Sequence, residues 1–416
     1  MLNWFFIGLA CALFIVYAWS FYNLPILVAG VKSFRKKGKY LSKKPDAEDV
    51  FPFFSIVVPM KNEENVVSRV LEAFSQMQYP ADKKEVIVVE DGSLDKTVDV
   101  CRSFAKDQRL NLKVIHRAFS RGKPSALNAG IARAKGEIIA VFDADNVPAA
   151  DALLNVRKYF DDQQVAAVQG RTFSINSKEN MLTEIISREE DVWYEAYLRG
   201  KDALDLFVHL KGSCQFIRRD VLEEVGGFDA EALSEDMEFS AKMTERGYKI
   251  RYAPDVQALE ESPSKLKQLF RQRTRWFRGT MDVALKYGRL MARPSRRSLD
   301  AELTLFGPIV LIVSLLAYIG TSYVTIMPFP LSVMLQFAAQ LTALGATIAI
   351  FLCGLVLVYS SRPRKTSSLL WLPFIYFYWF LQTFIAVYAI LLMVLRRPRR
   401  WLKTEKTGII SLGVEL

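Results

Sequence analysis

Asp143 and Asp145, one residue apart in the segment Phe142–Asp145, are the residues of this 416-residue chain best suited to hold a hard cation. A run of Ile and Val that reads as a strand from Glu137 leads into them, and the two-residue repeat of a strand turns both carboxylates to one side. Oxygen ligands of this kind suit Mg²⁺ or Mn²⁺, which keep several waters and bridge to phosphate oxygens. Such an ion neutralises the charge that grows on a leaving diphosphate. An earlier apolar run closes on Glu90-Asp91-Gly92-Ser93, where Asp91 can accept hydrogen bonds from a nucleobase or ribose. Arg121-Gly122-Lys123 precedes a helical stretch, and basic side chains at a helix N-terminus make an anion site. A third acidic cluster, Ser234-Glu235-Asp236, follows the turn Gly226–Asp229 and can supply the base that displacement at a sugar carbon with inversion requires. Finally, Gln272, Arg275 and Trp276 are spaced i, i+3 and i+4, so an amide, a guanidinium and a flat ring share one helical face. That face suits a stacked sugar with an anion nearby.

Each signal taken singly has a bland explanation: a solvated loop for Asp143 and Asp145, an ordinary turn and N-cap at Asp91 to Asp95, a basic loop at Lys123. The acidic cluster reads equally as helix capping, and the Arg/Trp helix as side chains snorkelling at a membrane surface. Their order and placement weigh against those readings. From Phe53 to about Pro263, short Val/Ile-rich runs alternate with helical stretches at Glu63–Ser75, Asp95–Lys106 and Lys123–Ala134. That pattern predicts an α/β domain with a mostly parallel sheet. Ligands bind beyond the carboxyl ends of such strands, where Pro59 to Glu63, Glu90 to Ser93 and Asp143 to Asp145 all fall.

Hydrophobic residues make up 51% of the chain and crowd its two ends. Trp4–Val31 is long enough for one membrane helix, and its start lacks the basic residues of a cleaved signal. Leu303–Ile326, Leu331–Tyr359 and Leu369–Leu395 are three further apolar runs, the first two separated by Met327-Pro328-Phe329-Pro330. Lys265–Met291 reads as an amphipathic helix lying in the membrane interface. The net charge of +11 sits largely beside these runs: Lys32–Lys44 holds seven Lys or Arg and Arg396–Lys406 six. Basic flanks of this kind match lipid headgroups and a cytoplasmic side, not a nucleic-acid groove. The organisation expected is a membrane helix at 1–34, an α/β domain at 51–263, interfacial helices at 264–300, about three membrane helices at 301–395 and a basic tail at 396–416. The charge rule conflicts with four crossings, because three spans after a cytoplasmic domain put the basic tail outside, and the Arg362-Pro363-Arg364-Lys365 loop also reads as cytoplasmic. The four cysteines form no CxxC pair, and His116 and His209 are the only histidines, so a disulfide framework, a zinc site and His-based catalysis are all disfavoured.

With Pro59 to Glu64 (PMKNEE), the ordered motifs resemble family 2 glycosyltransferases of the membrane synthase type, which include cellulose, hyaluronan and poly-N-acetylglucosamine synthases. The resemblance covers about Phe53 to Gly279. It implies a GT-A fold, a UDP-sugar donor, Mg²⁺ or Mn²⁺, and transfer with inversion. Pro59, Glu63, Asp91, Lys123 and Asp143 then fall on the nucleotide-sugar side, with Asp143 and Asp145 as the metal-binding pair. Asp236 resembles the family's catalytic base, in a triplet with Ser where Thr is usual. Gly212 and Ser213, in the segment Lys211–Arg219, together with Glu235, Gln272, Arg275 and Trp276, fall on the acceptor and pyrophosphate side. Glu90 departs from the family by standing where many members have a first Asp. The expected product is a polysaccharide made at the cytoplasmic face of the cell membrane. Single-sugar transfer to a lipid and a non-catalytic nucleotide-sugar-binding subunit are the alternatives. Membrane lipids are expected partners, nucleic acid is not, and the sequence does not name accessory subunits.

Overall fold

A computed structural model describes residues 2–33, 51–106, 109–288, 295–326, 333–360, 365–399, 404 and 406–411. Most of the Lys32–Lys44 basic stretch, the Met327–Pro330 connection, Arg362 to Arg364 and Arg400 lie outside the described residues, as does the end of the expected interfacial helix beyond Gly288.

Eight strands form one sheet: β1 (Phe54–Met60), β2 (Lys84–Asp91), β3 (Leu112–Arg117), β4 (Ile138–Val141), β5 (Val147–Pro148), β6 (Val165–Ser174), β7 (Gln215–Arg218) and β8 (Lys249–Glu260). Their order is β3-β2-β1-β4-β7-β6-β8-β5. The four strands β3, β2, β1 and β4 pair in parallel, as their near-continuous apolar runs predict. The other half departs from the expected parallel sheet. β7 runs antiparallel to both β4 and β6, β5 is antiparallel to β8, and only β6 and β8 pair in parallel. Apolar cores fill both faces, with Phe54, Phe74, Phe142 and Phe216 on one and Leu127, Ile139, Ile217 and Phe239 on the other. These cores fix the strand tips from which the acidic residues project.

Three element boundaries differ from the sequence reading. β4 stops at Val141, so Asp143 and Asp145 sit in the following turn, closed by Asn146 N–H on Asp143 C=O at 3.0 Å, and strand alternation does not aim them. The helix expected from Glu63 begins at Val67, and the one expected from Asp95 begins at Thr97. There the Asp95 carboxylate accepts from Thr97 N–H at 3.0 Å, so Asp95 caps the helix from outside it.

Four helices are long and apolar enough to cross a membrane: Trp4–Ser33, Gly307–Val324, Val333–Ser360 and Thr366–Val394. The first docks against the α/β domain at two glycines. A Cβ on Gly30 would lie 2.0 Å from Ala196 C=O, and one on Gly200 would lie 1.9 Å from Ile26 C=O, so any side chain would push the helix off. The helix Leu266–Tyr287 buries Leu269, Met281, Val283 and Ala284 against protein, which a purely lipid-facing amphipathic helix would not do. It contacts the helix Leu372–Val394 near both of the latter's ends. Arg273 lies 5.9 Å from the ring of Tyr378, and past the far end Arg278 donates to the carbonyls of Arg397 and Pro398. Past it the chain returns to the sheet, where Ser411 exchanges backbone hydrogen bonds with Ile175 and Lys178.

Candidate active site

The turn after β2 is organised by Asp91. Its buried carboxylate accepts from Ser120 Oγ at 2.7 Å and from the N–H groups of Gly122 (3.1 Å) and Arg121 (3.2 Å), with Arg117 at 3.2 Å. Those bonds fix the residues before Lys123, and Gly122, at φ +87°, lets the chain turn into the helix Lys123–Ile131. Lys123 is thereby delivered to the centre of the site. Its ammonium reaches Asp143 Oδ1 at 2.7 Å, Glu235 Oε1 at 3.1 Å and Gly212 C=O at 3.0 Å. Desolvation opposes its charge, but the carboxylates around it hold its pKa well above the ordinary lysine value.

Gly212 sits at φ +82°, and a Cβ there would lie 3.1 Å from Lys123 Nζ and 3.2 Å from Asp236 Oδ2. Glycine is needed both for the backbone conformation and for this close approach. Next to it, Ser213 Oγ accepts from Asp143 N–H at 2.9 Å. The pair therefore locks the loop before β7 to the turn after β4. Asp145 is buried, accepts from Glu261 N–H at 2.9 Å and pairs with Lys406 at 2.7 Å. Burial works against its charge, yet Lys406 holds it below the usual carboxylate value. Burial, with Asp145's charge adding and Lys123 opposing, raises Asp143 instead.

Asp236 lies in the first turn of the helix Glu235–Glu245, whose N-cap residue Ser234 makes no side-chain capping bond among the described residues. Glu235 and Asp236 both line the cavity, and Asp236 also accepts from Met237 N–H in that turn. Desolvation and the neighbouring Glu235 charge push Asp236 up to about 6, against the opposing charges of Lys123 and Arg275. A carboxylate with this pKa is ionised at neutral pH and basic enough to share a proton in a transition state.

Every residue singled out from the sequence lines one cavity of about 770 Å³: Pro59, Glu63, Asp91, Lys123, Asp143, Asp145, Gly212, Ser213, Glu235, Asp236, Gln272, Arg275 and Trp276. Several wall residues were not legible in the sequence. Arg273, one position off the Gln272/Arg275/Trp276 face, reads as a lipid-snorkelling residue, but it lies 4.4 Å over the ring of Trp276 and 3.3 Å from Glu189. Glu190 and His209 are buried in the same wall. Lys406 comes from the basic tail, whose composition pointed only to lipid.

The family model described as "Glycosyltransferase like family 2" matches residues 52–279. The chain belongs to this family. Its fold agrees: over 94% of this chain and 100% of the other, it superposes with a TM-score of 0.58 and 22% identity on a mannosyltransferase from Pyrobaculum calidifontis in complex with GDP-Man and Mn²⁺. The family 2 chain is 32% identical over 286 residues to a probable glycosyltransferase of Bacillus subtilis, YdaM, covering 68% of this chain and 67% of that one. It is 35% identical over 248 residues to a beta-monoglucosyldiacylglycerol synthase of Nostoc, 58% of this chain and 52% of that one. To a poly-beta-1,6-N-acetyl-D-glucosamine synthase of Staphylococcus epidermidis it is 28% identical over 233 residues, 56% and 55% of the two chains. The matches thus span about half to two thirds of these relatives. The molecule is a GT-A-fold family 2 glycosyltransferase.

Proposed function

We propose that this glycosyltransferase moves a hexose or N-acetylhexosamine, with inversion, from a UDP-sugar to a hydroxyl of a lipid held in the membrane leaflet next to the catalytic domain. One observation carries this reading: the cavity that holds Asp143, Asp145 and Asp236 continues between the membrane helices. Val16, Trp19, Leu311 and Ser314 line it along the membrane helices. Beyond it, Leu9, Leu13, Ala317, Val324 and Leu335 pack into an apolar cluster that fills the bundle. A chamber that runs from the carboxylates along the membrane helices suits an acceptor that arrives within the membrane. The similarity to the Nostoc lipid glucosyltransferase supports the same reading. Extension of a polysaccharide is the second reading, favoured by the similarity to the staphylococcal synthase, and it uses the same donor half of the site.

Asp236 takes the proton of the acceptor hydroxyl as its oxygen attacks the anomeric carbon; the bond to the diphosphate breaks on the opposite face. Lys123 places positive charge beside Asp143, where the diphosphate would lie, and Arg275 adds to it from the helix Leu266–Tyr287. Asp143 and Asp145 fit a Mg²⁺ or Mn²⁺ ion: both are oxygen donors at the cavity wall, and each already faces a cationic group, Lys123 or Lys406. Among the described residues no third acidic, His or Cys side chain completes a cluster, which fits an ion that keeps waters and binds diphosphate oxygens. When bound, the ion supplies charge neutralisation at the leaving diphosphate. UDP release by the chain in lipid nanodiscs is expected to stop on adding EDTA, to return with Mg²⁺ or Mn²⁺, and to yield a β-linked product from an α-linked donor by NMR. Undiminished transfer in EDTA, or an α-linked product, would contradict this.

The same contacts bear on topology. Lys406 reaches Asp145 and Thr407 N–H reaches the Glu261 carboxylate at 2.6 Å, so the tail lies on the catalytic side. The chain between the domain and this tail therefore crosses an even number of times. Tyr378 and Tyr388 of the helix Leu372–Val394, and Arg397 just past its end, all touch the one helix Leu266–Tyr287. We infer that the helix Leu372–Val394 lies in the interface plane and that three helices cross, which removes the conflict with the positive-inside rule. Thr404→Cys, in a chain whose native cysteines are replaced by serine, is expected to resist an impermeant maleimide in intact cells until the membrane is permeabilised. Labelling in intact cells would favour a fourth crossing.

A further inference from the structure

The donor half of the cavity leaves one wall unused. It is formed where the helix Met181–Val192, its π-helical continuation Trp193–Leu198 and the segment before β7 meet the helix Leu266–Tyr287, and it borders the membrane helices through Val192, Ala196 and Cys353. Two of its polar groups are more than nine-tenths buried and lack hydrogen-bond partners among the described residues: Glu190 Oε2 and His209 Nδ1, on residues each 8% exposed. A buried polar atom left without a bond is costly, so such atoms in a cavity wall point to a ligand that completes them.

The groups around them narrow what that ligand is. Lys211 is engaged, with its ammonium 3.2 Å from Tyr194 Oη and 4.6 Å over the ring of Trp193. Arg273 is engaged by Glu189 and by the face of Trp276. Lys406, which also acts on Glu260, is paired with Asp145. Each of these cations already has a partner in the wall, which leaves Glu190 Oε2 and His209 Nδ1 as buried groups there without a hydrogen bond among the described residues. Burial and the charge of Glu260 push the Glu190 carboxyl up to about 8, and burial with two nearby lysines keeps His209 uncharged, at about 3. Both groups are thus neutral around pH 7 and suited to hydroxyls, which donate and accept.

We propose that Glu190 and His209 form the subsite for the acceptor headgroup, and that this subsite takes a neutral, hydroxyl-bearing lipid. The proposal rests on the lipid-acceptor reading above and goes further by naming the chemistry of the headgroup and the side chains that read it. The full chain in nanodiscs, given its UDP-sugar and either dioleoylglycerol or a polyprenyl phosphate, is expected to glycosylate dioleoylglycerol at least about tenfold more efficiently. Glu190→Ala is expected to raise the KM for dioleoylglycerol about tenfold with kcat within about threefold, and Glu190→Gln, which keeps a hydrogen-bonding amide, to stay near the native KM. UDP affinity by calorimetry, unchanged within about twofold, shows that the variants are folded. If Glu190→Ala loses that affinity, His209→Ala carries the same test. An unchanged acceptor KM in a folded variant, or preference for the polyprenyl phosphate, would overturn the subsite while leaving the transferase reading intact. Failure of the native chain to glycosylate either lipid would overturn both.

Discussion

Asp236→Asn is expected to lower turnover by about 10²–10⁴-fold, the usual contribution of a positioned general base, while leaving UDP affinity nearly unchanged. The amide keeps the size of the carboxylate but cannot take a proton from the acceptor hydroxyl. Asp236 accepts from Met237 N–H at 2.8 Å, a bond the amide oxygen can still make, so the helix start is preserved. The native pH profile provides a second readout. The Asp236 pKa is raised to about 6 by burial and by Glu235, and only the ionised form works as a base. Rate should therefore be full above that value and fall as pH drops through it. Steady-state kinetics with calorimetry for UDP would check both points. Native-like turnover in the asparagine variant would remove Asp236 from the chemistry and favour a chain that only binds nucleotide sugar.

Lys123→Met is expected to be nearly as damaging, through a different route. One ammonium holds Asp143 and Glu235 and caps the Gly212 carbonyl. Removing it leaves several carboxylates facing one another in a largely desolvated space. Breaking one side of a buried ion pair costs about 3–5 kcal/mol of stability, and losing a preorganised cation beside the leaving diphosphate costs about a hundredfold or more in rate. The sign of the pH effect follows from the same geometry. Lys123 lowers the pKa of Asp236, so without it the base should titrate higher and the acidic limb of the rate profile should move to higher pH. Measuring kcat/KM from about pH 5 to 9, a range that brackets both limbs, would show this shift. A variant that loses rate with an unmoved acidic limb would mean that Lys123 acts on the donor alone.

The site was largely legible because its residues lie at the ends of strongly apolar strands. β1 and β2 are buried almost throughout, and Pro59, Glu63 and Asp91 follow or end them as the run pattern predicts. What stayed hidden depended on contacts between distant segments. Strand alternation was the wrong reason for the convergence of Asp143 and Asp145: a turn presents them, held by Ser213 and Glu261. β7 is four residues long and β8 is only partly apolar, so neither carried a period strong enough to show the antiparallel half of the sheet. The helix Leu372–Val394 has the composition of a membrane span, and composition does not distinguish a helix wrapped by lipid from one with protein along one side. Its buried face, Ile375, Tyr378, Gln382, Ile385 and Ala389, appears only with its neighbours in place. Likewise, nothing near Lys406 in sequence announces its pairing with Asp145.

The measurement that bears most directly on the whole reading is the nature of the product. The purified chain in nanodiscs containing dioleoylglycerol would be given radiolabelled UDP-glucose, UDP-galactose or UDP-N-acetylglucosamine with Mg²⁺ or Mn²⁺, and the label followed by solvent extraction, thin-layer chromatography and gel filtration. One organic-soluble species, a lipid bearing a single sugar, is the expected result, lost in Asp236→Asn. A water-soluble, high-mass ladder in its place would contradict a leaflet-bound lipid acceptor and make the chain a polysaccharide synthase.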